Sequence, residues 1–408
     1  MNLTGKRYSM DNGDTLKIRD GFTSLAGKTG EKPLTIAYLG ASNTALETGW
    51  RPVVQDWINR HIKPQGEHTE VNASIGGTDS LTGAFESSRM AEKNEPDLVF
   101  VEFSQPDSNN FVESRELLAC SVEAIVRNIR TAAPGCDICF LYFLHKSLLR
   151  EHRKGLTWSE RIHERIASHY GIPSINVARH IIDLEDGGGM DIFPGGKGPS
   201  VLRADLVHPT EQGNAVISGH ITDCLEKIIE SVTAGTGKRE LPPKLCRYDM
   251  DKWKNVPVTP EYIRGEFVIK KKKVSQAPDQ ISYYSIKKGG ALEFRLRGVL
   301  AGFLSVTGPA SGYVRCDIDG ETARVKNLFN AYCFRDMLSA TRMIKDASDI
   351  GRYDAGGYRA VSIKLLDGVP GDGSNRGTPG TEPPMPPEEW EFSPVSIFVI
   401  GDIQAVKG

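Results

Sequence analysis

The stretch Leu34-Thr-Ile-Ala-Tyr-Leu-Gly-Ala-Ser-Asn-Thr44 sets an apolar run directly against a turn of small residues, with a helical pattern starting near Gly49. A short apolar run that gives way to a helix in this manner reads as a buried strand of a parallel sheet. Outward from it the alternation repeats. Candidate strands are LTIAYLG (34–40), HTEVNAS (68–74), DLVFVEF (97–103), CDICFLYF (136–143) and IPSINV (172–177). Helical patterns fall near 49–61, 80–93, 114–132 and 157–169, with a last one near 210–231. Within 114–132, Leu117, Leu118, Val122, Ile125, Val126 and Ile129 recur at i, i+3/i+4 and would lie against the sheet. The pattern predicts a three-layer α/β/α, flavodoxin-like parallel sheet with helices on both faces.

At 408 residues and 44.8 kDa the chain is too long for one ordinary core, so a second domain is expected. After TAGTGKRELPPK (233–244) the apolar period drops to two, as in YIRGEFVIK, ALEFRLRG, YVRCDIDG and VSIFVIGDI, with Gly-rich turns between. The expected organisation is an N-terminal extension (1–33), the α/β/α domain (34–232), a linker (233–244) and an all-β sandwich or jelly roll (245–408). The Gly- and Pro-rich segment 368–390 reads as a long exposed loop.

Composition narrows the function classes. Apolar residues at 39% and charged residues at 25% describe a globular chain, and 50 basic against 52 acidic side chains give a net charge of −2. No field gathers nucleic acid or an anionic membrane, so neither partner is expected. The opening MNLTGKRYSMDNGDTLKIRDG has no apolar core of a secretory signal, which leads to the expectation of a cytoplasmic protein. Seven sparse cysteines without framework spacing read as reduced, buried thiols, with no structural disulfide expected.

Three short stretches carry chemistry. Ser42 follows a strand at the carboxyl edge of an open sheet, where ligands bind and a nucleophile is useful. Asp205-Leu-Val-His208-Pro209 stands ahead of the last helix. A neutral imidazole takes a hydroxyl proton best when a carboxylate fixes its tautomer, and Asp and His on one turn supply that pair. Asn72-Ala-Ser-Ile-Gly-Gly77-Thr-Asp-Ser80 follows the second strand, where a glycine lets a backbone N–H approach an oxyanion. Each stretch taken singly also fits a plain turn or a helix cap.

Taken in order, the three stretches resemble the SGNH/GDSL hydrolase family. The resemblance spans roughly residues 34–225 and implies Ser42 as nucleophile, His208 as general base and Asp205 as its orienter. It places the oxyanion hole at the backbone of Ser42 and Gly77. Two departures stand out: Ala41 replaces the acidic residue usual before the serine, and Pro106 falls where the family's oxyanion-hole asparagine aligns. Proline brings neither an N–H nor a side-chain donor. Gln105, Asn109 and Asn110 are the nearby amides that would substitute. The resemblance implies a carboxylic, acetyl-type esterase without metal or organic cofactor, acting on a small-molecule or polysaccharide ester. An O-acyltransferase acting on a glycan, or a weakly active or noncatalytic glycan-binding protein, are the alternatives. The oligomeric state is not specified.

Other features read as structural. Cys136 and Cys139 lie in a strand, facing opposite sides, so no zinc site is expected. Lys270–Lys273 and Lys287-Lys288 suit exposed turns or strand edges. Trp50, Trp158, Tyr283, Tyr284, Tyr313, Tyr332 and Trp390 suit packing or sugar stacking. Residues 185–203 form a loop that would cover the site. His61, His145, His152, His163, His169, His180 and His220 read as surface or helix-terminus residues.

Overall fold

The computed structural model describes residues 14–27, 32–62, 66–196, 198–232, 240–250, 252–275, 277, 280–330, 332–351, 356–370 and 382–406. The chain divides into two compact units, Met1–Met250 and Asp251–Gly408. The former linker segment 233–239 and loop segment 371–381 lie outside the described residues.

The first unit is built on strands β1 (Leu16–Lys17), β2 (Thr35–Gly40), β3 (Thr69–Asn72), β4 (Leu98–Glu102), β5 (Asp137–Tyr142) and β6 (Ser174–Asn176). They lie in the order β1-β6-β5-β4-β2-β3, all parallel except β1. The five parallel strands therefore follow the 2-1-3-4-5 order of flavodoxin-like sheets, whose connections reverse direction between β2 and β4. In sheets of this order ligands bind beyond the carboxyl ends of the strands at that point. β2, β4 and β5 are almost fully buried, as continuous apolar runs demand under two helical layers.

Helices α3 (Trp50–His61), α9 (Val177–Asp186) and α10 (Glu211–Glu230) pack as one layer, and α4 (Ser80–Asn94), α6 (Arg115–Ala132) and α8 (Trp158–His169) as another. Asp79 caps α4, its Oδ1 accepting from the Leu81 and Thr82 N–H groups, and Thr157 with Glu160 forms a capping box on α8. α9 and β1 were not anticipated. β1 is only two residues long; Lys17 and Arg19 pair with Glu164 of α8, which fixes that stretch to the sheet.

One expectation is overturned here. Cys120 of α6 and Cys246 form a disulfide across 126 residues of sequence, which no local spacing could reveal. Glu123, one helical turn beyond Cys120, accepts the Leu245 and Cys246 N–H groups, each at 2.6 Å, and so docks the same segment on α6. Leu245 and Cys246 accordingly fall in the first unit. Among the described residues no helix is long and apolar enough to cross a membrane.

The second unit is all β, with an eight-stranded antiparallel sheet and a separate two-stranded hairpin. The hairpin joins β9 (Phe267–Lys273) and β10 (Gln280–Ile286); the large sheet contains β7 (Trp253–Pro257), β8 (Ile263–Arg264), β12 (Tyr313–Ile318) and β13 (Glu321–Asn327). Its spine is β11 (Ala291–Thr307), which pairs along nearly its whole length with β16 (Ser393–Ala405). On its other side β11 first meets β15 (Arg359–Leu365), then β14 (Met337–Arg342), and a register shift between Leu300 and Gly302 marks the change. Trp390, Tyr313, Phe392, Phe294 and Phe303 belong to the core that this sheet encloses. Three lysines of the two clusters are paired: Lys270 of β9 and Lys287 after β10 with Glu391, and Lys272 with Asp336.

Candidate functional site

Ser42 sits where β2 ends. The strand passes through Gly40, and Ala41 leads into the short helix α2 (Ser42–Ala45). Gly40 is required: a Cβ there would lie 2.6 Å from Thr44 Oγ1 and 2.9 Å from the Glu102 carbonyl. The turn is held from beneath by the end of β4. Glu102 O accepts the Ala41 N–H at 3.2 Å, and its carboxylate Oε2 accepts the Thr44 hydroxyl at 3.0 Å. On the other flank Arg51, buried in α3, donates through Nε to Thr44 O at 3.0 Å and pairs with Glu47 and Glu70.

His208 and Asp205 come from the loop ahead of α10. His208 Nε2 lies 2.8 Å from Ser42 Oγ, and His208 Nδ1 lies 2.9 Å from Asp205 Oδ2. Asp205 Oδ1 accepts the Val207 and His208 N–H groups at 3.0 and 2.9 Å. Desolvation pushes the Asp205 pKa up, but these donors and the His208 ring outweigh it and hold it below the ordinary value. Arg203 braces the loop: its N–H donates to His208 O at 2.8 Å and its Nε to Pro209 O at 2.8 Å. Leu206 takes a left-handed φ of +64° so that the chain can close around Asp205. With side chains 29% and 48% exposed, His208 and Asp205 are open to solvent. The three side chains expected to converge thus form one hydrogen-bonded line.

Gly77 is exposed and left-handed at φ +74°, in the turn after β3. Pro106 lies in α5 (Ser104–Asn110), directly after β4. Of the amides beside it, Gln105 is buried and Asn109 is exposed, while Asn110 Nδ2 already donates to Asp79 Oδ2 at 3.0 Å. Asp107 is fully buried and receives the Ser80 N–H, the Ser80 hydroxyl and His163 Nε2 at 2.9, 2.7 and 2.8 Å, tying α4, α5 and α8 together. Burial nevertheless raises its pKa, with His163 working against the rise.

Other sequence readings change on sight of the structure. His163 and His220 are buried in helix interiors instead of lying at the surface or a helix end; His152 does end a short helix, Leu149–His152, but is buried too. His163 is the Asp107 partner, and His220 stacks on His180 with ring centroids 3.9 Å apart. Trp50, Trp390, Tyr283 and Tyr313 are core residues, whereas Tyr332 is 71% exposed. Among the described residues no group of three or more His, Cys, Asp or Glu is arranged to hold a metal ion. A cavity of about 490 Å³ between α6 and α8, lined by Arg115, Glu123, Trp158, Arg165 and Cys246 among others, does not include Ser42, Asp205 or His208 among its lining residues. Glu102 and Thr44 were missed altogether. Glu102 is fully buried; desolvation pushes its pKa up to about 8 despite the Thr44 hydroxyl, and Asp107 pushes the same way.

Residues 37–216, within the α/β domain, match the GDSL-like lipase/acylhydrolase family model. The molecule thus pairs an α/β domain similar to GDSL-like lipases and acylhydrolases with an all-β domain. Its fold is similar to that of a two-domain esterase active on acetylated mannans, with a TM-score of 0.64, 18% identity and 94% of each chain covered. The same figures hold for that esterase co-crystallised with mannopentaose. A carbohydrate esterase family 3 protein from Talaromyces cellulolyticus is 18% identical, with a TM-score of 0.35, over 49% of this chain and 100% of its own. Comparison with curated protein sequences finds no match.

Proposed function

We propose that the protein is a serine esterase that removes acetyl groups from a saccharide or polysaccharide through an acyl-enzyme on Ser42. The observation that carries this reading is the line Asp205–His208–Ser42, with successive contacts of 2.9 and 2.8 Å. His208 Nε2 takes the Ser42 proton as Oγ attacks the acyl carbon, then returns it to the departing sugar oxygen. Water deacylates the serine by the reverse sequence, with His208 again as base, and acetate leaves. Asp205 keeps the Nδ1–H tautomer in place and offsets the imidazolium charge. The N–H groups of Ser42 and Gly77 are the donors assigned to the oxyanion.

Pro106 removes a third donor, a loss that costs on the order of a hundredfold in turnover where such donors have been deleted. Gln105 and Asn109 are the amides left to replace it, since that of Asn110 is committed to Asp79. The saccharide preference is supported by the likeness, over 94% of this chain, to the two-domain esterase active on acetylated mannans.

The test is acetate release from p-nitrophenyl acetate and from acetylated mannan by the wild type and by Ser42→Ala, alongside fluorophosphonate labelling. The expected result is wild-type turnover and labelling that Ser42→Ala abolishes. Acyl transfer to an added sugar without release to water would instead make the protein a transferase. Saccharide binding without labelling would leave it a binding protein.

A further inference from the structure

The carboxyl group under the Ser42 turn has a role that the serine, histidine and aspartate do not account for. Glu102 is 0% exposed at the carboxyl end of β4, on the strand beside β2 at the reversal point of the sheet. Its backbone and its side chain grip the same turn: the carbonyl takes the Ala41 N–H, and Oε2 takes the Thr44 hydroxyl. These residues flank Ser42. The second oxygen, Oε1, is buried without a partner. A fully buried carboxylate with so few donors is costly, whereas the protonated acid leaves only a neutral hydroxyl unmatched.

The charged groups around it do not favour the anion. From α5, Asp107 adds a second acid. From α3, Arg51 reaches the far side of the turn, but its guanidinium already pairs with Glu47 and Glu70 and its Nε donates to Thr44 O. There is no slack for relocation either, because Thr44 and Glu102 close around Gly40 too tightly for even one added carbon.

We propose that Glu102 is a positioning residue for the nucleophile: as a neutral acid it clamps the Ala41–Thr44 turn, and its ionisation loosens that turn and sets the alkaline limit of turnover. On ionisation the proton leaves Oε1 for solvent, and the new charge draws in water or pulls on Thr44, which moves Ser42 Oγ away from His208 Nε2. The direction of the pKa shift, up to about 8, places this event within reach of ordinary assays. The inference rests on the esterase reading of Ser42.

The experiment is the pH dependence of kcat and KM for p-nitrophenyl acetate from pH 6 to 9.5, corrected for spontaneous hydrolysis, in wild type, Glu102→Gln, Glu102→Leu and Thr44→Ser. Wild-type kcat should fall about tenfold from its plateau by pH 9, with KM steady, as a single ionisation one unit lower requires. Glu102→Gln, neutral at every pH and still able to accept from Thr44, should keep the neutral-pH kcat within a few-fold and lose the alkaline fall. Glu102→Leu should lower kcat at all pH values without changing KM, and Thr44→Ser, which keeps the hydroxyl, should behave as wild type. An alkaline fall in Glu102→Gln like that of wild type would overturn the proposal, as would full activity in Glu102→Leu. If Glu102→Leu fails to fold, the Glu102→Gln profile decides alone. If wild type neither turns over nor labels at any pH, the esterase reading fails. Melting temperature then still reports on Glu102: wild type should lose stability relative to Glu102→Gln between pH 6 and 9, and parallel curves would refute the neutral acid.

Discussion

Replacing Asp205 by asparagine and by alanine should damage the reaction to different degrees, and the order follows from the loop geometry. In the wild type Oδ1 is fixed by two backbone donors, Val207 and His208 N–H, while Oδ2 faces His208 Nδ1 at 2.9 Å. An asparagine must turn its carbonyl to those two donors, which leaves its NH₂ group where Oδ2 was. That group donates to Nδ1 and forces the ring proton onto Nε2, the nitrogen that has to take the Ser42 proton. Alanine removes the orienter but lets water accept from Nδ1. Loss of the charge alone, for ions about 4 Å apart, is worth about 1 kcal/mol in a water-like medium and about 4 kcal/mol at the effective dielectric of a protein surface. The 48% exposure of Asp205 favours the lower part of that range. We expect Asp205→Ala to lower kcat about tenfold to a hundredfold, and Asp205→Asn to lower it at least about tenfold further through the wrong tautomer. Stopped-flow or steady-state release of p-nitrophenol at pH 7.5 measures both, with KM close to wild type. An asparagine variant as active as the alanine variant, or more so, would refute the tautomer reasoning.

Three further outcomes follow from features away from the reacting atoms. Reduction of Cys120–Cys246, or Cys246→Ser, should lower the urea midpoint of the first unit; closing 126 residues limits unfolded-chain entropy by up to about 5 kcal/mol, and an unchanged midpoint would refute the contribution. Leu206→Gly should raise the melting temperature slightly, through about 1 kcal/mol of relieved left-handed strain, while leaving the triad contacts in place; a fall would show that the Leu206 side chain matters more than its φ. Glu391 is held by Lys270 and Lys287, which outweigh its desolvation and bring its pKa down to about 2. Its folded pKa lies below the unfolded one, so its contribution is present above about pH 4.5 and lost as pH falls toward 2; discounted for solvent screening it amounts to about 1–3 kcal/mol, absent in Glu391→Gln, as acid melts of the two proteins would show.

The parallel strands were legible because each is a short apolar run bounded by turn residues, and the helices because their buried positions recur at helical spacing. β1 was not, since Leu16–Lys17 has no pattern of its own and owes its place to ion pairs with Glu164, more than a hundred residues away. The linked bonding of Ser42, His208 and Asp205 was anticipated from order and spacing along the chain. Glu102 was invisible for the opposite reason: inside DLVFVEF a single acid looks like the exposed end of a strand, and only the neighbouring β2 turn supplies its hydrogen-bond partner. The disulfide was missed because α6 and the segment after α10 meet only in three dimensions.

The long spine strand of the second unit has a mechanical implication. Since β11 hydrogen-bonds to β15 at its start, to β14 at its end and to β16 along nearly its whole length, opening β11 withdraws partners from all three. The β domain should therefore melt in one step and resist stepwise fraying, giving a single calorimetric peak and slow amide exchange where β11 is paired on both sides, at 294–296 and 302–306.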